Sequence, residues 1–177
     1  ITEKLAMDGP FSSDIGKDVF ETTEDEIILC LNYDGKFGLN NMNLYFQNAN
    51  KNEAFSWEEW TFKVGDPIIF LDNNRSELLY NNLKGRIVDI EKKETSIVFT
   101  LDIETVLTER QCSFEDFDFV DVTEKSTRIS LEVITIDDET ATEAERIKTI
   151  VPFQIAYAAS IHKAQGLEYK SVKIVIP

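Results

Sequence analysis

The sequence predicts an α/β protein interrupted by a β-rich module, and three observations carry that prediction. Near the carboxyl end an apolar run at 155–159 leads into Ser160, a short helical stretch, Gly166 and a second, strand-like apolar run at 172–176. Near the start, residues 27–31 are a nearly continuous apolar run of the kind found in buried parallel strands, followed by a turn and a helix. Between the two, from about Phe62 to Ile136, short alternating runs follow one another behind turn residues, as in antiparallel β structure.

Taken in order, residues 1–26 mix turn signals (Asp8-Gly9-Pro10, Ser12-Ser13) with acids and form an entry segment of undetermined structure. The strand at 27–31 ends at the turn cluster Asn32-Tyr33-Asp34-Gly35. Over 39–47, Leu39, Met42, Tyr45 and Phe46 fall at helical spacing, with Asn40 or Asn41 available as N-cap. Gly65-Asp66 opens a strand at 67–71, and the turn ending in Gly85 opens another at 86–90. Asn82 takes a turn position that favours glycine, which Asn tolerates because it visits positive φ. Residues 96–101 and 128–136 alternate as half-buried strands do. The acidic-aromatic stretch 114–122 reads as an edge strand with its apolar side inward in preference to a docking surface. Residues 137–145 are a polar linker suited to a loop or a helix start, and Ser160 is the N-cap of the last short helix.

The chain has 177 residues, 42% of them hydrophobic and 12 of them Phe, enough for one sizeable core or a core plus a small inserted module. No apolar run approaches the roughly 20 residues that cross a bilayer. Cys30 and Cys112 stand apart with no C-x-x-C pair, so no metal site is expected and reduced thiols in the cytoplasm are the default. The first residue is Ile and the last, Pro177, directly follows a strand-like run, so a piece of a longer protein is expected. With 18 basic and 33 acidic residues the net charge is −15, an argument against a polyanion partner. The charge is uneven. Residues 146–177 carry five basic residues and one acid, net +4, so that residues 1–145 hold −19.

That cationic stretch contains the string Ser160-Ile-His-Lys-Ala-Gln-Gly-Leu-Glu-Tyr169. It resembles motif V of the superfamily 1 helicases, especially the UvrD-like and RecD-like branch. The resemblance implies a RecA-like second motor domain of the P-loop NTPase type. It implicates Ser160, His162 and Lys163 in contacts to single-stranded nucleic acid, and Gln165, Gly166 and Glu168 in contacts to nucleotide. The chemistry is apt: the first amides of a helix can hold a phosphate, Gly166 lets backbone approach a ligand, and a carboxylate can accept from ribose hydroxyls. As isolated residues, the same His and Gly would read as a packed side chain and a helix C-cap; the whole string with its flanking strands reverses that preference. The strand, polar pair and helix around Asn32 look like the family's motif IV, which adds Asn32 as a nucleic-acid contact. The turn pattern from Val64 onward is similar to an SH3-like β-barrel inserted in related helicases. The domain boundaries implied are 1–61 for the first part of the motor domain, 62–136 for the inserted module and 137–177 for the return.

The resemblance further implies ATP and Mg²⁺ as cofactors of the full-length protein, with single-stranded DNA, or RNA, and the first motor domain of the same chain as partners. Residues 133–136 followed by Asp137-Asp138-Glu139 mimic a Mg²⁺-binding strand end, but none of the seven glycines fits the phosphate loop G-x-x-x-x-G-K-[ST]. The chain by itself is therefore expected not to hydrolyse ATP. Two alternatives are a noncatalytic β-rich interaction module and the motor domain of a nuclease-associated ATPase.

Overall fold

The computed structural model describes residues 26–71, 75–136, 140–164 and 171–175. Along the chain run β1 (Glu26–Cys30), α1 (Leu39–Ala49), β2 (Ala54–Trp57), β3 (Trp60–Lys63), β4 (Pro67–Phe70), β5 (Lys84–Lys92), β6 (Ser96–Ile103), α2 (Glu109–Cys112), β7 (Asp118–Val122), β8 (Thr127–Ile134), α3 (Glu143–Ile147), β9 (Phe153–Ile155), β10 (Ala158–Ser160), α4 (Ile161–Ala164) and β11 (Ser171–Val175). They form an α/β protein of two compact units, one comprising 1–51 with 156–177 and the other 52–155.

In the first unit three short parallel strands lie in the order β10-β1-β11. Ile27, Ile28 and Cys30 of β1 are buried, as the continuous apolar run predicts for a strand covered on both faces. α1 buries Leu39, Met42 and Phe46 at the predicted spacing, while Leu44 and Tyr45 remain half exposed. The N-cap differs from expectation. It is Gly38, without a side-chain cap, and the amides of Asn40 and Asn41 reach back into the preceding loop, to Asp34 Oδ1 (3.1 Å) and Lys36 O (2.8 Å). The helix's first free amides are satisfied by that loop too: Leu39 N–H donates to Asn32 O (2.9 Å) and Asn40 N–H to Tyr33 O (3.1 Å). Gly38 is required for this folding-back, since a Cβ there would lie 2.6 Å from Tyr33 O and 2.5 Å from Asp34 O.

The second unit is a six-stranded antiparallel sheet in the order β7-β8-β6-β5-β4-β9, with the hairpin β2-β3 as a separate pair. The predicted strands at 67–71, 86–90, 96–101 and 128–136 are all present, and Asn82 has φ +70 as its turn requires. The expected barrel is not. Among the described residues β7 and β9 are the two edges of the sheet and pair only with β8 and β4, so the sheet is open. The hairpin, whose turn holds Glu58 at φ +51, begins before the expected 62–136 module and β9 lies after it, and the compact unit takes in both.

Alternation along β6 and β8 sends Ile97, Phe99, Leu101, Ile103, Ile129, Leu131 and Val133 into one core, all fully buried. Phe99 sits at its centre, its ring edge-on to Phe62 (5.0 Å between centroids) and Phe153 (5.1 Å). Gly85 allows the close approach of β5 and β6, since a Cβ there would meet Asp102 O at 2.7 Å. Arg75, its side chain 2% exposed, joins Asp116 (3.2 Å) and the carbonyls of Glu132 (2.8 Å) and Lys148 (3.1 Å). β7 is the predicted edge strand, but Phe119 is its only partly buried residue; Val120, Val122 and the preceding Phe114, 94% exposed, face solvent. The polar linker does start a helix, α3, through a capping box in which Thr142 and Glu145 each satisfy the other's amide. The acidic trio 137–139 lies outside the described residues.

Candidate nucleic-acid interface

The apolar run 155–159, predicted as one strand, is divided. Ile155 ends β9, paired with Ile68 in the antiparallel sheet, and Ala158 begins β10, paired with Ile28 in the parallel one. β1 and β10 are neighbours with Cys30 level with Ser160, so the chain leaves both strands at the same edge, side by side. From β1 the connection runs outward to β10, and from β10 it runs back across β1 to β11. The loops at the carboxyl ends of the strands are the usual ligand position in open parallel α/β sheets. Asn32 follows one strand and His162 the other.

Each predicted strand-contact residue has a distinct place. Ser160 is the last residue of β10 and 3% exposed. Its Oγ accepts from Lys163 N–H (3.3 Å), as an N-cap does, and from the Tyr33 hydroxyl (3.4 Å). Ser160 thus joins the two loops. His162 is exposed on α4, Lys163 is half-buried and Asn32 is exposed beyond β1. The predicted nucleotide contacts Gln165, Gly166 and Glu168 lie outside the described residues. Cys30, level with Ser160, is wholly buried, and burial pushes its thiol up to about 11, which keeps it neutral and unreactive. Among the described residues no three His, Cys, Asp or Glu side chains cluster as metal ligands do.

Two residues of this edge were missed by sequence reasoning. Asn43 on α1 receives Ala158 N–H on Oδ1 (2.8 Å) and donates from Nδ2 to Ala158 O (3.2 Å), pairing with the outer side of β10 as a further strand would. Its signal was available: Asn43 stands four residues after Leu39 and three before Phe46, a polar residue on an apolar helix face. Tyr33 gave no signal beyond membership of a turn cluster, because its partner Ser160 is 127 positions away. Asn50 adds a side-chain bond to the Tyr157 hydroxyl (3.4 Å), and the Phe46 and Tyr157 rings stack (6.3 Å), which secures the approach to β10.

The fold and this edge define a class: a parallel α/β unit with polar loops at the strand carboxyl ends. The chain is similar in sequence to superfamily 1 helicases. The RecBCD enzyme subunit RecD of Buchnera aphidicola subsp. Acyrthosiphon pisum is 23% identical over 167 residues, covering 91% of this chain and 21% of that protein. The same subunit from Buchnera aphidicola subsp. Schizaphis graminum is 22% identical over 91% of this chain and 22% of its own length. The chain therefore spans about one fifth of the length of these curated relatives. Among solved structures, that of two coordinating Pif1 helicases at forked double-stranded DNA covers 91% of this chain at 17% identity and TM-score 0.47, and Bacteroides Pif1 with ADP-AlF3 and single-stranded DNA covers 93% at 13% identity and TM-score 0.43. No protein-family model matches the chain.

Proposed function

We propose that this chain is the second, RecA-like motor domain of an ATP-dependent superfamily 1 DNA helicase or translocase, and that it couples ATP binding to movement along single-stranded nucleic acid. The observation that carries this reading is the alignment of the carboxyl ends of β1 and β10, which brings Asn32 and His162, 130 positions apart, to one edge. The motif string 160–169 and the RecD relatives support it. In this reading the unit 52–155 is an insertion between the motor domain's halves. Asn32, His162 and Lys163 hold the strand. Ser160, buried, positions the turn that bears His162 and Lys163. Gln165, Gly166 and Glu168 face ATP, whose Mg²⁺ and phosphate loop belong to the first motor domain.

The coupling follows from proximity. The strand contacts His162 and Lys163 and the nucleotide contacts fall within seven consecutive positions, 162–168, so a change of packing at one end moves the other. Such a device works as a shift between two packed states that bind the strand differently. The test is ATP turnover by the full-length protein with and without single-stranded DNA. His162→Ala is expected to reduce the strand-dependent stimulation about tenfold, the scale of one lost charged or polar contact, while the melting temperature stays put. Equal stimulation in wild type and variant refutes the roles given to this edge.

A further inference from the structure

Tyr33 is the one aromatic side chain in the turn between β1 and α1 other than Phe37, and its surroundings set it apart. Its hydroxyl is held by Ser160 Oγ (3.4 Å), while the residue as a whole stays 51% exposed. Its backbone is held as well: its carbonyl accepts from Asn40 N–H at the start of α1, and Gly38 packs against the same carbonyl. The residue is therefore held at its hydroxyl and at its backbone while half exposed. Leu31 (50% exposed) and Ile161 (41%) directly follow the level pair Cys30 and Ser160, so two further exposed apolar residues stand at the carboxyl ends of β1 and β10. The same two loops carry the polar and basic residues Asn32, Lys36, His162 and Lys163.

A half-exposed aromatic residue on the same pair of loops as amide and cationic groups suits what a single strand offers, flat bases and phosphates. We propose that Tyr33 is a stacking platform for a base of the bound strand, placed by its hydroxyl bond to Ser160 so that the base and the backbone contacts of His162 and Lys163 engage together. The inference rests on the strand-binding reading above and adds to it a residue that recognises the base instead of the phosphate. Because every base has a π-face, Tyr33 contributes affinity without sequence preference. Its aromatic ring, held in advance, loses little conformational freedom on binding.

The experiment measures equilibrium binding of the full-length protein to a fluorescent oligothymidylate and to an otherwise identical strand of abasic nucleotides. Wild type is expected to bind the abasic strand about tenfold more weakly, the scale of one stacked base. Tyr33→Ala should lose about tenfold on oligothymidylate and nothing further on the abasic strand, and Tyr33→Phe, which keeps the ring and loses only the bond that places it, should lose about threefold on oligothymidylate and nothing on the abasic strand. Equal losses on both strands for Tyr33→Ala, or none on either, overturn the platform. A loss in Tyr33→Phe as large as in Tyr33→Ala assigns the effect to the hydroxyl bond and overturns it also. If wild type binds neither strand, the strand-binding reading itself falls and the platform with it.

Discussion

The two units differ in how they satisfy their own surfaces. Residues 52–155 build an open antiparallel sheet around one continuous core, with ring-to-ring contacts at Phe99 and a buried cation, Arg75, tied to three separate segments. The parallel unit has three strands of three to five residues and leaves Val172 and Ile174 of β11 nearly half exposed, although parallel sheets are ordinarily covered on both faces. What the parallel unit has instead is a set of single polar contacts, Tyr33 to Ser160 and Asn43 to Ala158, that register its loops. The large core is concentrated in one unit, and the proposed strand contacts lie in the other. Substitutions should separate along the same line.

The largest effect is expected at Phe99→Ala. Truncation at the centre of the ring cluster leaves a cavity and should cost about 4 kcal/mol in chemical denaturation. Next comes Arg75→Ala, which takes the donor from two carbonyls and leaves Asp116 to Lys148 alone (2.6 Å); about 2 kcal/mol is expected from the lost hydrogen bonds. Both should leave the strand affinity of the folded protein unchanged. If either weakens strand binding while the protein is still folded, the division of labour is wrong. Asn43→Ala removes two bonds from the outer side of β10 and should cost about 1–2 kcal/mol. Unlike the first two, it should also lower strand affinity, because it loosens the strand that ends in Ser160.

A smaller effect sharpens the comparison from the pH side. Glu132 accepts from Ser96 Oγ at 2.7 Å, and this bond, helped by Lys93 and Lys148 and opposed by partial burial, holds its carboxyl below the ordinary 4.5. A depressed carboxylate stabilises the fold above its unfolded value and loses that contribution as pH falls through the folded one. Stability of wild type should therefore decline below about pH 4.5 more steeply than that of Glu132→Gln, as read from denaturation midpoints across pH 3–6. Parallel curves for the two proteins would show that the Ser96 bond contributes nothing.

Much of this was legible in the sequence, and the divergences have physical causes. Strands at 27–31, 96–101 and 128–136 were readable because their apolar residues follow the strand period, and α1 because Leu39, Met42 and Phe46 follow the helix period. Asn40 and Asn41 were read as caps because an N-cap preference is local; their amides serve the loop at Asp34 and Lys36, a choice made by the tight turn at Gly38. Apolar character alone could not show that 155–159 changes sheets, since both strands are apolar and only pairing distinguishes them. Barrel closure depends on which edges meet, and no local pattern reports that. At the carboxyl ends of β1 and β10, the string singled out Ser160 and His162, whereas Tyr33 and Asn43 act through partners more than a hundred positions distant.

The central claim is that the strand carboxyl ends of β1 and β10 grip single-stranded nucleic acid. Its most direct test is the affinity of the full-length protein for an unstructured DNA strand before and after the paired substitution Asn32→Ala and His162→Ala, with folding monitored in parallel. The account predicts a loss of about tenfold or more with the melting temperature unchanged. Affinity retained within about twofold at an unchanged melting temperature contradicts it.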